Sequence, residues 1–303
     1  MSIDLSAMLD RIESRQWSLD QFDWAAPGAD RFSDEQRARL KPFMSDLVWI
    51  EHIGARGFQA LAKQAKDPTL VEIYEWFHIE EQRHAKAELA LMRRWGMLEP
   101  GEVPYANTPI RFAMDWLERF ADQQPMVVLG TIIPLLECAL DGALLKFLLE
   151  EVHDPLCHAV FERINNDESR HLAVDFHVLG ELKPERREPL PIQIVKGLRP
   201  ESLAGLLMFL PLLSKTRNNI VDMGLDEQRL YDAIEKFVSL GDRSPNTKRN
   251  VLYQAIKGNA KMVIDRKHPY HVLVGDRLVN LVDIYPRRFL PPKPAWVKEL
   301  AAN

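Results

Sequence analysis

Two short stretches of the chain hold the residue types of a metal site at the spacing of a helix face. Residues 80–88 read Glu80-Glu81-Gln82-Arg83-His84-Ala85-Lys86-Ala87-Glu88, and residues 167–175 read Asp167-Glu168-Ser169-Arg170-His171-Leu172-Ala173-Val174-Asp175. Both follow one pattern: an acid, Glu, any residue, Arg, His, and a further acid four positions on. Residues i and i+3 of a helix lie on one face about one turn apart, so Glu81 with His84, and Glu168 with His171, can each grip one metal ion. Two such half-sites point to a two-metal centre.

A Glu-x-x-His spacing alone says little. With 9 His in 303 residues, chance gives on the order of one such pair, and Glu75/His78 and Glu150/His153 also have it. Neither of those pairs has the preceding acid or the Arg, and Glu150/His153 lies beside Asp154-Pro155, where a helix should end. They serve as internal controls for the repeated pattern.

Each half-site also has a lone glutamate upstream, Glu51 lying 30 residues before Glu81 and Glu137 lying 31 before Glu168. Helix geometry tests these offsets. A helix from Pro42 to about Lys66, a turn at Asp67-Pro68 and a returning helix through Trp95 place Glu51 about 22 Å and Glu81 about 20 Å from the turn. A second hairpin, Pro125 to about Glu151 and Pro155 to Leu182, turns at Asp154-Pro155 and gives about 21 Å out and about 20 Å back. The four carboxylates therefore meet at one level. The seam pattern agrees: Leu70, Tyr74, Phe77, Glu81, His84, Glu88 and Leu91 alternate steps of four and three, as do Cys157, Phe161, Ile164, Glu168, His171, Asp175 and Val178. Polar residues thus occupy the middle of apolar seams. Buried ion-pair layers would also place charge there, but four buried glutamates without cations would be costly and would have to protonate.

The elements that must position these residues are helical throughout. Residues 1–41 read as a Trp-bearing, partly irregular arm (Trp17, Trp24, Pro27-Gly28), followed by a short helix that opens with a capping box at Ser33-Asp34-Glu35-Gln36 and that Pro42 bends or restarts. Residues 42–182 form the bundle. Its middle connection, 97–124, is too long for a hairpin and contains a short helix that Thr108, followed by Pro109, caps and that runs through Phe120. The Pro- and Arg-rich stretch 183–191 is a linker to a helical extension, 183–303, expected to pack on the bundle through helices near 200–222, 226–240, 246–264 and 271–284. The apolar run Leu203–Leu213 is about half a membrane span and contains Pro211, so no transmembrane segment is expected.

Composition narrows the classes. A net charge of −5 argues against nucleic acid as the main partner. Cys138 and Cys157 are the only cysteines, which excludes a disulfide framework and a Cys-rich metal site. The start, Met1-Ser2-Ile3-Asp4, does not open a signal peptide, so a cytoplasmic location is expected.

Two copies of acid-Glu-x-Arg-His, each preceded by a lone helical Glu, resemble the ferritin-like di-iron carboxylate proteins: acyl-carrier desaturases, multicomponent monooxygenases, aldehyde-deformylating oxygenases and ribonucleotide reductase small subunits. The resemblance covers roughly residues 42 to 182 and implies an all-α, ferritin-like four-helix bundle with one long crossover. It implies Glu51 and Glu137 as terminal ligands, Glu81 and Glu168 as bridging ligands, and His84 and His171 as one nitrogen ligand per ion. Asp167 would accept from His84 and Glu80 from His171, with Arg83 and Arg170 holding those acids. The cofactor implied is a pair of iron ions, Fe/Fe or Mn/Fe.

Departures from the subfamilies are specific. Glu88 stands where a reductase small subunit has its radical Tyr, Ile132 where ligand-binding oxidases have a cross-linking Tyr, and Ile164 where arylamine oxygenases have an added His. An O2-activating oxygenase or desaturase remains, acting on a hydrophobic small molecule or acyl group and fed by an external electron donor, a ferredoxin or reductase. A homodimer is compatible with this, and Arg186, Arg187, Lys196 and Arg199 are candidates for docking an acidic carrier or donor. The alternative class is a non-catalytic or peroxide-scavenging metal bundle. Around the centre, Asp141 is the candidate proton donor, Gly54 leaves space beside the metals, Pro134 can kink the helix bearing Glu137, and Tyr74 and His78 border the expected pocket.

Overall fold

The computed structural model describes residues 3–31, 33–140, 148, 152–182, 212, 214–215, 217–218, 221, 228–265, 267–270 and 275–293. Asp141, Glu150, the linker with its basic residues, and nearly all of the 200–222 segment lie outside the described residues. Among those described, the regular elements are all helical, with no strand. They are α1 (Leu5–Ser14), α2 (Asp34–Gln64), α3 (Pro68–Arg94), α4 (Thr108–Phe120), α5 (Met126–Leu140), α6 (Pro155–Glu181), α7 (Gln228–Gly241), α8 (Pro245–Arg249), α9 (Val251–Ile264) and α10 (Asp276–Asp283). None is long and apolar enough to cross a membrane.

Helix ends follow local chemistry. Asp67 caps α3 by accepting from Thr69 N and Leu70 N, with Pro68 in the first turn, where a missing N–H is harmless. Gly96, with φ +66°, lies just beyond the end of α3. Asp154-Pro155 repeats the device at the start of α6. The cap of α4 is Asn107, one residue earlier than expected, its Oδ1 accepting from Ile110 N at 2.9 Å. Pro42 does not restart the helix. α2 runs as one helix from its Ser33/Gln36 capping box to Gln64, with the exposed Pro42 just before the stretch buried from Phe43 on, so the proline costs one ladder hydrogen bond that the buried part outweighs.

Four helices pack around one another: α2 along α3, α5 along α6, with α2 against α5 and α3 against α6. Every seam position of α3 from Leu70 to Leu91, and of α6 from Cys157 to Val178, is buried, charged residues included. The apolar seam residues join one core. α4 lies against α2, while α7 and α9 cover α5.

The N-terminal arm runs beside α3 and α6. α1 packs on α3, Arg94 Nη1 donates to the Trp24 carbonyl at 2.7 Å, and Arg31 Nη1 donates to the His153 carbonyl at 3.1 Å. One residue joins the ends of two helices: the fully buried Asp154 accepts from Leu156 N (3.0 Å), Arg94 Nε (2.8 Å) and Trp95 Nε1 (2.8 Å). The end of α3 thus meets the start of α6, and the two helices run antiparallel.

Asp154→Ala should remove the cap and leave the Arg94 head group, itself only 5% exposed, without its charge partner. A loss of about 3 to 5 kcal/mol is expected for breaking a buried pair. Denaturant titration measures it. Metal content of the folded fraction should not change, because Asp154 lies about 20 Å along α6 from Glu168.

Candidate metal centre

Glu51 on α2, Glu81 and His84 on α3, Glu137 on α5, and Glu168 and His171 on α6 all point into one buried space. One ligand atom from each of Glu51, Glu81, His84 and Glu168 lies within 4.8 Å of the others, and the same holds for Glu81, Glu137, Glu168 and His171. Glu81 and Glu168 belong to both groups and so stand between them. His84 Nδ1 is 2.9 Å from Glu168 Oε1 and 3.5 Å from Glu51 Oε2. His171 Nδ1 is 3.1 Å from Glu81 Oε1, 3.3 Å from Glu168 Oε2 and 3.8 Å from Glu137 Oε1.

The outer nitrogen of each imidazole is engaged across the helix pair. His84 Nε2 lies 3.0 Å from Asp167 Oδ2, and His171 Nε2 lies 2.9 Å from Glu80 Oε2. An ionised carboxylate only accepts, so Nε2 carries the proton and Nδ1 is the ligand atom facing the acids. Arg170 Nη2 donates to Glu80 Oε1 at 2.9 Å and also to Asp167, so a single guanidinium holds both outer acids. Arg83 stands farther off, 3.6 Å from Glu80 and 3.8 Å from Asp167, and donates to Gln16 Oε1 (2.8 Å) and the Trp17 carbonyl (2.6 Å).

The arm completes this layer. Trp17 Nε1 donates to Asp167 Oδ2 at 2.7 Å, its ring stacks on His84 and lies under Arg83, and Gln16 Nε2 donates to Glu80 Oε1 at 2.7 Å. Neither Gln16 nor Trp17 was legible as a site residue. The tryptophans marked the arm, but nothing in their spacing ties them to acids on α3 and α6.

Protonation follows the surroundings. Burial, with Glu51 and Glu168 nearby, pushes Glu81 well above the usual carboxylate range, and burial with Glu168 and Asp175 does the same to Glu137. Burial opposes a charged His84, but its hydrogen bond to Asp167 and the carboxylates of Glu168 and Glu51 outweigh it and raise its pKa. His171 is raised in the same way, against burial, by Glu168, Glu80 and Glu81. Glu168 goes the other way: despite burial, the charge of His171 and the contacts with His84 bring it down to about 2. With each imidazole neutral and its proton on Nε2, both carboxylate oxygens of Glu137 and Glu168, Oε1 of Glu81 and Nδ1 of both histidines are left without a hydrogen-bond donor. Buried groups of this kind are ordinarily satisfied, and a shared pair of cations would satisfy all of them. The donor set of carboxylate and imidazole suits iron, manganese or zinc alike.

Beside the centre lies a cavity of about 40 Å³, room for a few water-sized molecules. Its wall is apolar apart from five glutamates: Glu51, Glu81, Glu137, Glu168 and Glu88. Gly54 lies on this wall, and a Cβ there would stand 2.2 Å from Glu81 Oε2, so the missing side chain makes room for the ligand itself. Tyr74 and His78 are not among the residues that line the cavity. Tyr74 is fully buried between Phe58 and Phe77, its phenol pushed up by burial and by Asp175; His78 Nδ1 lies 2.7 Å from the Ala55 carbonyl. Of the control pairs, Glu75 and His153 are exposed and His78 faces the backbone of α2, so none joins the cluster. α5 continues through Pro134 to Leu140.

The chain matches none of the protein-family models, curated proteins or solved structures with which it was compared.

Two substitutions test the positioning. Asp167→Asn keeps the volume but loosens the hold on His84, so metal affinity should fall about 10 to 100-fold, read by metal titration. A large drop in melting temperature with unchanged affinity would mean the outer acids serve stability alone. Gly54→Ala should leave the helix intact, since Ala suits it better, while displacing the Glu81 carboxylate. Metal affinity should fall on the order of tenfold without loss of helical circular dichroism.

Proposed function

We propose that the chain is a ferritin-like di-iron oxidoreductase that activates O2 and acts on a hydrophobic small molecule or acyl group. The observation that supports this best is the pair of overlapping four-residue groups sharing Glu81 and Glu168. Glu51 and His84 would hold one ion, Glu137 and His171 the other, with Glu81 and Glu168 between them. When bound, two ferrous ions supply the electrons with which O2 is reduced. The chain's own residues supply the rest. Asp167 and Glu80 fix the imidazoles through Nε2, Arg170 ties those acids together, and the apolar wall of the cavity is the surface a hydrocarbon group would meet. An iron/manganese pair fits the same donors, and the electrons for turnover come from an external donor such as a ferredoxin or a reductase.

Metal analysis after anaerobic iron loading should give about two ions per chain, a stoichiometry set by the two overlapping ligand groups. A value near zero would sink the reading. Stoichiometric binding with bulk iron uptake and no reductant-dependent O2 consumption would favour a storage or scavenging protein instead. The raised pKa values of Glu81, Glu137, His84 and His171 fix the sign of the pH dependence. These groups favour their protonated forms in the metal-free protein and must lose those protons to bind, so loading should release protons and weaken as pH falls.

A further inference from the structure

We propose that the surface formed by Tyr105, the outer side of α4 and residues 281–293 docks on an anionic lipid bilayer. The inference goes beyond the two-metal reading and does not rest on it. Among the described residues, five of the eight exposed large apolar side chains gather here: Tyr105, Leu281, Ile284, Tyr285 and Phe289. α10 packs on α4, and the chain beyond it is held to the same face. The Tyr285 and Phe112 rings lie 5.4 Å apart, Arg287 sits over the Tyr105 ring at 5.0 Å, and Arg111 donates to the Pro291 carbonyl.

The charge of this patch runs against that of the chain. The net charge is −5, yet Arg111, Arg287, Arg288 and Lys293 lie together and, among the described residues, no acid pairs with any of them. Glu102 and Asp115, the acids that flank Tyr105 and Arg111 in the chain, are taken up by Lys41 and Arg119. Partial burial and the Arg111 guanidinium push the Lys293 ammonium below its ordinary range, as cations crowded without acids between them require.

Cations beside exposed aromatic and aliphatic side chains match a membrane surface, where lipid phosphates take the charge and the acyl boundary takes the apolar groups. Ile284 is 76%, Leu281 60% and Phe289 59% exposed, so these side chains project and do not line a groove. A fluid acyl layer closes around such groups without a preformed pocket, which the surface of a folded partner would have to supply. α4 also carries Leu117, on the wall of the cavity beside the metal centre, so one helix joins the docking face to that cavity.

The test is sedimentation of the full chain with vesicles of equal parts phosphatidylcholine and phosphatidylglycerol, against vesicles of phosphatidylcholine alone. The mixed vesicles should bind the chain, pure phosphatidylcholine should bind it at least about tenfold more weakly, and added salt should weaken the mixed case. Arg287→Gln with Arg288→Gln should lower affinity for the mixed vesicles about 30-fold, and Ile284→Ser with Phe289→Ser at least about tenfold. Val251→Ser, at an exposed apolar position on α9, should bind like the parent. Circular dichroism should be unchanged in all three, since the replaced side chains are exposed. No binding to the mixed vesicles, equal binding to both kinds, affinity that survives both double substitutions, or an equal loss from Val251→Ser overturns the proposal. So does a dimer in sedimentation velocity that only Ile284→Ser with Phe289→Ser dissociates, because the patch then serves a second copy of the chain. If a double variant fails to fold, the lipid and salt comparisons on the parent, with Arg287→Gln alone, decide.

Discussion

Four glutamate carboxylates converge on one buried space, and the cost of that convergence governs the structure around it. Like charges at this range in a buried medium resist ionisation, which is why Glu81 and Glu137 are pushed up while Glu168, facing both imidazoles, is not. Without cations, protons must stand in for metal and the histidines must carry charge. With two divalent ions the same groups become a neutral assembly. Apolar residues of equal volume would pack there at no electrostatic cost, and the buried polar atoms left without a partner are ones that cations could satisfy.

The acids stay in place because the repeat is used reciprocally. α3 and α6 run antiparallel, so the acid before each ligand Glu meets the outer nitrogen of the opposite His, and Arg170 bonds to both acids. Each helix therefore orients a ligand belonging to the other. Removing one outer acid also frees a guanidinium, so the layer is strongly coupled and its members should not act additively. The arm adds Trp17 and Gln16 to the same network, tying the first thirty residues or so to the bundle through hydrogen bonds as well as apolar packing.

Much of this could be read from the sequence because helices impose a period. Level ligands in two hairpins follow from residue rise, and the alternation of fours and threes put Glu81, His84, Glu168 and His171 inside. The same period put Glu88 and Asp175 inside, but spacing gives burial and not what a buried acid faces. Trp17 and Gln16 were invisible for a different reason: the arm meets α3 and α6 through irregular turns, and contacts across 64 to 150 positions leave no periodic trace. Pro42 does not restart α2 because burial from Phe43 onward outweighs the one ladder hydrogen bond it removes, which local preference alone does not show. Gly54 does line the cavity, but that a Cβ there would meet the Glu81 carboxylate is something only the packing of α2 on α3 can show.

The repeat is symmetric in its ligands but not in its surroundings. Toward the arm, the imidazoles are backed by acids, guanidiniums and the Trp17 indole, a polar layer with its hydrogen bonds largely made. Toward α2 and α5 the backing is small or apolar: Gly54 and Gly57 bring α2 close, a Cβ at Gly57 would stand 2.6 Å from Ile133, and the cavity opens there. Firm polar support thus lies on one side and a small, largely apolar space on the other, so the imidazoles are anchored away from the part of the cluster that has room in it. Glu88 belongs to the open side although its place in the repeat matches that of Asp175, which faces Tyr74. The difference between the two half-sites thus lies in the helices packed against them and not in the motif they share.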